Sequence, residues 1–355
     1  MSLADRLAAR ALELVDIPSE SRDEARLAAH ALGVLRDGGV DVREAGDSCV
    51  LAGATAHGER PLVLLAGHLD TVPAQGNLPG RRDGEAVHGL GAADMKGAVA
   101  VMLELALSGV GGDGFTVDLG YVLFPREELP FGESALTALL EREPGLREAE
   151  LVVVMEPTAN AIHAGCLGNI NATWTFHGRA GHSARPWLAD NAIHRAAKGI
   201  LAVAELEPIP HDFGGLRFTE VVSVTRIAGG IASNVIPGEA VATVNYRYAP
   251  GRSAADAEAW LHELCDPYGT LVIEGNAPSA PVAVGNPLAQ RLIATGDLAV
   301  EAKQAWTPVA EFAAAGVDAV NLGPGDPAQA HAREEHVRVE ALVRCYETIE
   351  AFACA

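Results

Sequence analysis

Pro61-Leu-Val-Leu-Leu-Ala-Gly-His-Leu-Asp-Thr71 is an unbroken apolar run that ends in a small cluster of polar groups, His68 and Asp70. A strand without polar alternation is one buried on both faces, which is the mark of a parallel sheet covered by helices. The pattern recurs three times. Val117–Phe124 runs into Pro125-Arg-Glu-Glu128, Leu151–Met155 into Glu156-Pro-Thr158, and Ala319–Leu322 into Gly323-Pro-Gly325 with His331 beyond. Helical spacing of apolar residues separates these strands, at Leu3–Val15, about Asp23–Gly38, Gly97–Ser108 and Ser134–Glu143. Ser21-Arg-Asp-Glu24 reads as a capping box opening the second of these helices. Strand alternating with helix predicts an α/β layer.

The texture changes after Gly168. Asn171, Thr173, Thr175 and His177 alternate with Ile170, Ala172, Trp174 and Phe176, so one face of this strand is wet. A helix near Asn191–Leu206, strands near Phe218–Ile227 and Ala240–Tyr248, a helix at Ser253–Cys265 and a strand at Thr270–Glu274 follow. The order βαββαβ predicts a ferredoxin-like α+β unit, residues 168–276, inserted into an α/β domain made of 1–167 and 277–355. The chain then returns through helix Leu288–Gly296 and strand Ala319–Leu322 to a last helix at Val339–Cys354.

The chain has 355 residues, 26 Lys+Arg against 47 Asp+Glu, and a net charge of −21. That balance excludes nucleic acid as a partner, because neutralising phosphates needs clustered cations. No run of about 18 apolar residues occurs; the longest, Gly97–Val110, is broken by Glu104, so no membrane partner is expected. The N-terminus carries Asp5 and Glu13 and lacks a basic region, which does not fit a signal peptide. The 5 cysteines are dispersed with no Cys-X-X-Cys pair, and suggest free thiols in a cytoplasmic protein.

The polar residues at the ends of the buried strands carry the chemistry. In open α/β sheets the carboxyl ends of strands border the ligand crevice, so groups far apart in sequence converge there. Asp94, in Gly91-Ala-Ala-Asp-Met-Lys-Gly97, lies just before a helix and can reach the same crevice. Without a metal, carboxylates gathered this way repel and raise one another's pKa values. Two imidazoles with three or four carboxylates and no thiolate suit zinc or a similar divalent ion, and a central carboxylate can bridge two ions.

These pieces resemble the M20 family of dinuclear zinc peptidases and deacylases over nearly the whole chain. The resemblance rests on Leu14-Val-Asp-Ile-Pro-Ser19, Gly67-His-Leu-Asp-Thr-Val72, Gly89-Leu-Gly-Ala-Ala-Asp-Met-Lys-Gly97 and Glu127-Glu128. To these it adds Met155-Glu-Pro-Thr158, Gly178-Arg-Ala-Gly-His-Ser183, Ser233-Asn-Val-Ile-Pro237, and Gly323-Pro-Gly325 with His331. Within the family, Glu156, Asn-Val-Ile-Pro and the overall length are most similar to the actinobacterial succinyl-diaminopimelate desuccinylases. The resemblance implies a zinc-exopeptidase-like α/β catalytic domain, with the ferredoxin-like insert serving as a homodimerisation domain. It implies two divalent ions, zinc or alternatively cobalt, held by His68 and Glu156 on one side and Glu128 and His331 on the other, with Asp94 shared. Asp70 is then the carboxylate that orients His68. Glu127 is the general base for a water between the ions, and His182 an oxyanion donor delivered to the partner subunit. A cis peptide between Asp94 and Met95 is also implied. The expected substrate is a small anionic acyl-amino acid, N-succinyl-L,L-2,6-diaminopimelate, contacted by Arg247, Asn234, Arg185, Thr307 and the backbone at Gly323. Two departures touch substrate recognition alone: Pro308 stands where desuccinylases often carry an acid, and Cys166-Leu167 where some members carry an arginine pair. A related deacylase or carboxypeptidase, such as one acting on N-acetylornithine, is the alternative; a non-catalytic metal-binding module has no use for Glu127.

Overall fold

A computed structural model describes all 355 residues. It divides into two compact units, residues 1–165, 282–301 and 307–355 in the first and 166–281 with 302–306 in the second.

The first unit is built on an eight-stranded sheet, in the order Val42–Glu44, Val50–Gly53, Asp118–Phe124, Leu62–His68, Leu151–Val154, Ala319–Asn321, Ile162–Ala164 and Val300–Ala302. Four central strands, Asp118–Phe124, Leu62–His68, Leu151–Val154 and Ala319–Asn321, run parallel. Every residue of Leu62–His68 and Leu151–Val154 is buried, as their unbroken apolar sequence requires. Register pairs His68 with Phe124 and Ala66 with Val154, so these strands finish side by side. Helices Leu3–Val15, Gly97–Leu107 and Val339–Cys354 pack on one another. The middle one is buried from Gly97 to Ala106, and its single charge, Glu104, meets Arg6 and Arg10 at 3.2 Å each.

The predicted capping box does not form. The helix starts at Ala25 with no side-chain cap, and the Ser21 hydroxyl donates instead to Asp70 Oδ2 at 2.8 Å. A tertiary partner has outcompeted the local one.

The second unit is a five-stranded antiparallel sheet, ordered Ile209–Phe213, Leu216–Gly229, Glu239–Tyr248, Gly168–His177 and Thr270–Ala277. Helices Ala192–Ala204 and Ala254–Cys265 cover one face over a core of Ile170, Trp174, Phe176, Val244, Tyr246 and Leu261. Trp174 Nε1 donates to the Cys265 carbonyl at 3.1 Å. Ile209–Phe213 is a strand that periodicity alone does not predict. Its Pro210 cannot donate to a ladder, but it sits on the sheet edge where no donation is required. Gly214 and Gly215, both at positive φ, close the hairpin into Leu216–Gly229.

Candidate metal centre

Most of the candidate side chains in the first unit sit where a parallel strand ends. His68 is the last residue of its strand, Glu127 and Glu128 follow Phe124, and Glu156 follows Val154. Asp94 lies in the turn Ala92–Lys96 just before helix Gly97–Leu107, where the Asp94–Met95 peptide is cis. Gly323, next to the last strand, makes the crowding possible: a Cβ there would lie 2.3 Å from the Met155 carbonyl oxygen and 2.4 Å from that of Glu156.

The carboxylate of Asp94 faces two ways. Its Oδ1 is 3.1 Å from His68 Nε2, and its Oδ2 is 3.7 Å from His331 Nε2. On the first side Glu156 Oε1 lies 3.9 Å from His68 Nε2. On the second, Glu128 lies 3.1 Å from His331 Nε2. Ligand-type atoms of His68, Asp94 and Glu128 fall within 4.8 Å of one another, as do those of His68, Glu127 and Glu156. The structure therefore brings all five candidate ligands and Glu127 into one cluster.

Asp70, fully buried, is the hub beneath that cluster. Its Oδ1 accepts from the Glu127 amide at 2.9 Å, and its Oδ2 from the Glu128 amide at 3.0 Å and from Ser21. Toward His68 it offers its carbonyl oxygen, 3.0 Å from Nδ1, with the carboxylate at 3.6 Å. A proton held on Nδ1 by that carbonyl would leave the lone pair of Nε2, the atom facing Asp94 and Glu156, to a metal ion, which is how an outer hydrogen bond fixes the tautomer of a ligating histidine. One residue thus aims an imidazole and fixes two neighbouring backbones. Asp70→Asn is expected to lower metal affinity or activity by about 10–100-fold, because an amide nitrogen opposes one of the donors now facing Oδ1 and Oδ2. Zinc titration and steady-state assay of the variant check this.

The charge state of the cluster calls for cations. Burial pushes Glu127 well above the ordinary carboxylate range, and Glu156 adds to the effect. Burial acts downward on His68, yet its hydrogen bond to Asp94 and the neighbouring carboxylates hold it well above the usual imidazole value. The hydrogen bond with Glu128 pushes His331 up to about 9. Each shift retains a proton in place of positive charge. Divalent ions would supply that charge through the same atoms, and the imidazole and carboxylate donor set fits zinc or its neighbours.

Of the other candidates, His182, Asn234, Arg185 and Arg247 belong to the second unit, and Thr307 and Gly323 to the first. His182 is exposed on a two-stranded ribbon, Gly181–His182 with Val235–Ile236, in which it pairs with Val235. The Ala184 amide donates to His182 Nδ1 at 3.1 Å, so the neutral ring carries its proton on Nε2. Asn234 borders the same ribbon through its carbonyl, which accepts from the Ser183 amide at 3.0 Å, and the Arg185 amide donates to the His182 carbonyl at 2.8 Å. Arg247 lies half-buried on the face of strand Glu239–Tyr248 away from the core, its Nε donating to Asn245 Oδ1 at 3.1 Å. Thr307 is buried in the first unit. Gly323, the backbone candidate for substrate, donates its N–H to Thr158 Oγ1 at 3.0 Å, and its carbonyl accepts from the Asn160 amide at 2.9 Å. The structure gives it a packing role. Two further residues, Ser21 and Thr158, read in the sequence as a helix cap and as part of a motif, without a role at the site; the fold sets Ser21 against Asp70 and Thr158 against Gly323.

Comparison with known proteins agrees with this picture. The profile of peptidase family M20/M25/M40 matches residues 64–355. A Mycobacterium tuberculosis protein provisionally named succinyl-diaminopimelate desuccinylase DapE is 40% identical over 342 residues, 96% of this chain and 95% of that protein. A Corynebacterium glutamicum succinyl-diaminopimelate desuccinylase is 35% identical, over 93% of this chain and 91% of that one. Among solved structures, the aminopeptidase PepT from Bacillus cereus superposes with a TM-score of 0.80 at 18% identity, covering 99% of this chain and 98% of that chain. The strand-end carboxylates and imidazoles are thus set in a fold and a sequence that make this chain a member of peptidase family M20/M25/M40.

Proposed function

We propose that the chain hydrolyses the amide bond of N-succinyl-L,L-2,6-diaminopimelate, releasing succinate and L,L-diaminopimelate. The observation that carries this reading is the two-sided Asp94 carboxylate between His68 with Glu156 and His331 with Glu128, beside an uncommitted Glu127. The substrate follows from the names of the relatives in M. tuberculosis and C. glutamicum, which match almost end to end.

In this reading His68, Glu156, Glu128, His331 and Asp94 hold two divalent ions, zinc first. When bound, the ions lower the pKa of water and polarise the scissile carbonyl. Glu127 takes the proton from the attacking water and hands it to the leaving amine. Asp70 keeps Glu127 and Glu128 in place through their amides. His182 Nε2–H stabilises the charge that develops on the carbonyl oxygen, and acts on the partner subunit of a homodimer. Exposed apolar residues of the second unit, Ile193, Leu201, Ile227 and Ile231, support its role as the dimer interface. Arg247, Arg185 and Asn234 supply local polar and cationic contacts for a carboxylate-rich substrate in a chain of net charge −21.

Pro308 favours the neighbouring reading, a deacylase for another N-acyl amino acid. It heads helix Val309–Ala314 without an N–H to offer, and Glu311 behind it is buried against Ser134 and Thr137. A panel of N-succinyl and N-acetyl diamino acids, followed by amine release, separates the two. Succinyl-diaminopimelate is expected to lead N-acetylornithine by about tenfold or more in kcat/KM, since an unpaired charge in a fitted pocket is costly. The reverse order overturns the substrate assignment and leaves the hydrolase.

No helix of the structure is long and apolar enough to cross a membrane.

A further inference from the structure

Glu335, a residue to which no role has been given so far, is buried and accepts four hydrogen bonds from a single loop. Its Oε2 takes the Gly91 amide at 2.9 Å, and its Oε1 takes the amides of Ala93 at 2.9 Å and Asp94 at 3.0 Å. Its own carbonyl takes the Gly89 amide at 3.0 Å. Strand pairing explains the placement. His336–Arg338 pairs antiparallel with Ala86–His88, His336 opposite His88, so the residues just outside that pair, Glu335 and Gly89, also face one another. The loop so held contains Asp94, which has non-helical φ/ψ of −126° and 88° inside the turn. Glu335 lies four residues beyond His331, and the same short segment therefore carries one candidate ligand and clamps another.

The geometry points to Glu335 as the positioning residue for Asp94, holding the metal-side loop in its ligating shape before any ion arrives. This inference rests on the reading of Asp94 as the shared ligand. A carboxylate is required because three N–H groups converge on two acceptor oxygens. Glutamine has one acceptor, and its amide group would face at least one N–H donor to donor. Aspartate keeps the charge but is one methylene short of the loop.

The test uses the full chain stripped of metal by a chelator and titrated with zinc against a chromophoric competitor. Wild type, Asp94→Asn, Glu335→Gln and Glu335→Asp are compared, with circular dichroism showing that each is folded. Glu335→Gln is expected to weaken zinc binding by about 10–100-fold, the usual effect of losing an outer partner of a metal ligand. Glu335→Asp should lie between it and wild type. In the metal-free wild type the amides of Gly91, Ala93 and Asp94 should exchange slowly with deuterium, and in Glu335→Gln they should exchange faster. Folded Glu335→Gln with wild-type zinc affinity overturns the inference. If that variant does not fold, rapid exchange of the three amides in metal-free wild type overturns it instead. Equal zinc affinity in wild type and Asp94→Asn is a different failure: it removes Asp94 from the ligand set, and the role of Glu335 with it.

Discussion

Glu127→Gln is expected to keep both metal ions and to lower kcat by at least about 10²-fold, the low end of what a positioned general base contributes. The reason lies in how two adjacent glutamates are separated. Asp70 accepts from both amides, one on each carboxylate oxygen, so the backbone at Glu127 and Glu128 is fixed outside any helix or strand. From that platform the side chains diverge. Glu128 goes to His331, and Glu127 stands within ligand-atom reach of His68 and Glu156. The Glu128 side is satisfied by an imidazole. Burial and Glu156 raise the Glu127 carboxylate, in line with the proton-carrying role proposed for it. Glutamine preserves volume and the Asp70 contact to the backbone, and removes only the capacity to take a proton. Metal content by elemental analysis and kcat by amine release read the two roles separately. Near-wild-type turnover transfers the base function to another group, and loss of metal together with activity makes Glu127 a ligand.

Much of this arrangement was legible from the chain alone because strand ends and crevice coincide in an open parallel sheet. An apolar run that stops at His68, Glu127, Glu156 or Gly323 states both the strand and its use. Helices Leu3–Val15 and Val339–Cys354 end where their apolar spacing ends. What stayed hidden was set by tertiary partners. Ser21 has the spacing of a cap, yet Asp70, 49 residues away, takes its hydroxyl. Asp70 was expected to act on His68 through its carboxylate; the carboxylate turned to the amides of Glu127 and Glu128, leaving the carbonyl nearest the ring. Strand Ile209–Phe213 was masked by Pro210, which is damaging in mid-sheet and harmless on the edge. Glu335 looked like one acid among 47 acidic residues, and only the pairing of His336 with His88 shows why it is buried.

His182→Ala is expected to lower kcat by about 10²–10³, the effect of removing one oxyanion donor, with metal content unchanged. The ring already has the tautomer such a donor needs, because the Ala184 amide occupies Nδ1 and the neutral form presents Nε2–H. It stands exposed on the ribbon Gly181–His182 with Val235–Ile236, and closure of an active site brings its donors in as water is excluded. If the second unit forms a two-fold dimer, the interface is isologous and each active site takes its His182 from the other chain. That arrangement has a signature no single-chain mechanism shares. Inactive His182→Ala dimers mixed with inactive Glu127→Gln dimers exchange subunits to give hybrids. With the histidine acting in trans, one active site of a hybrid collects both defects, and the other has an intact Glu127 and an intact His182. Activity should then recover toward half the wild-type value per hybrid dimer. Histidine acting in cis leaves one defect in every site and no recovery. Mixtures that stay inactive after subunit exchange has been demonstrated by mass labelling, or a protein that sediments as a monomer while fully active, overturn the borrowed histidine.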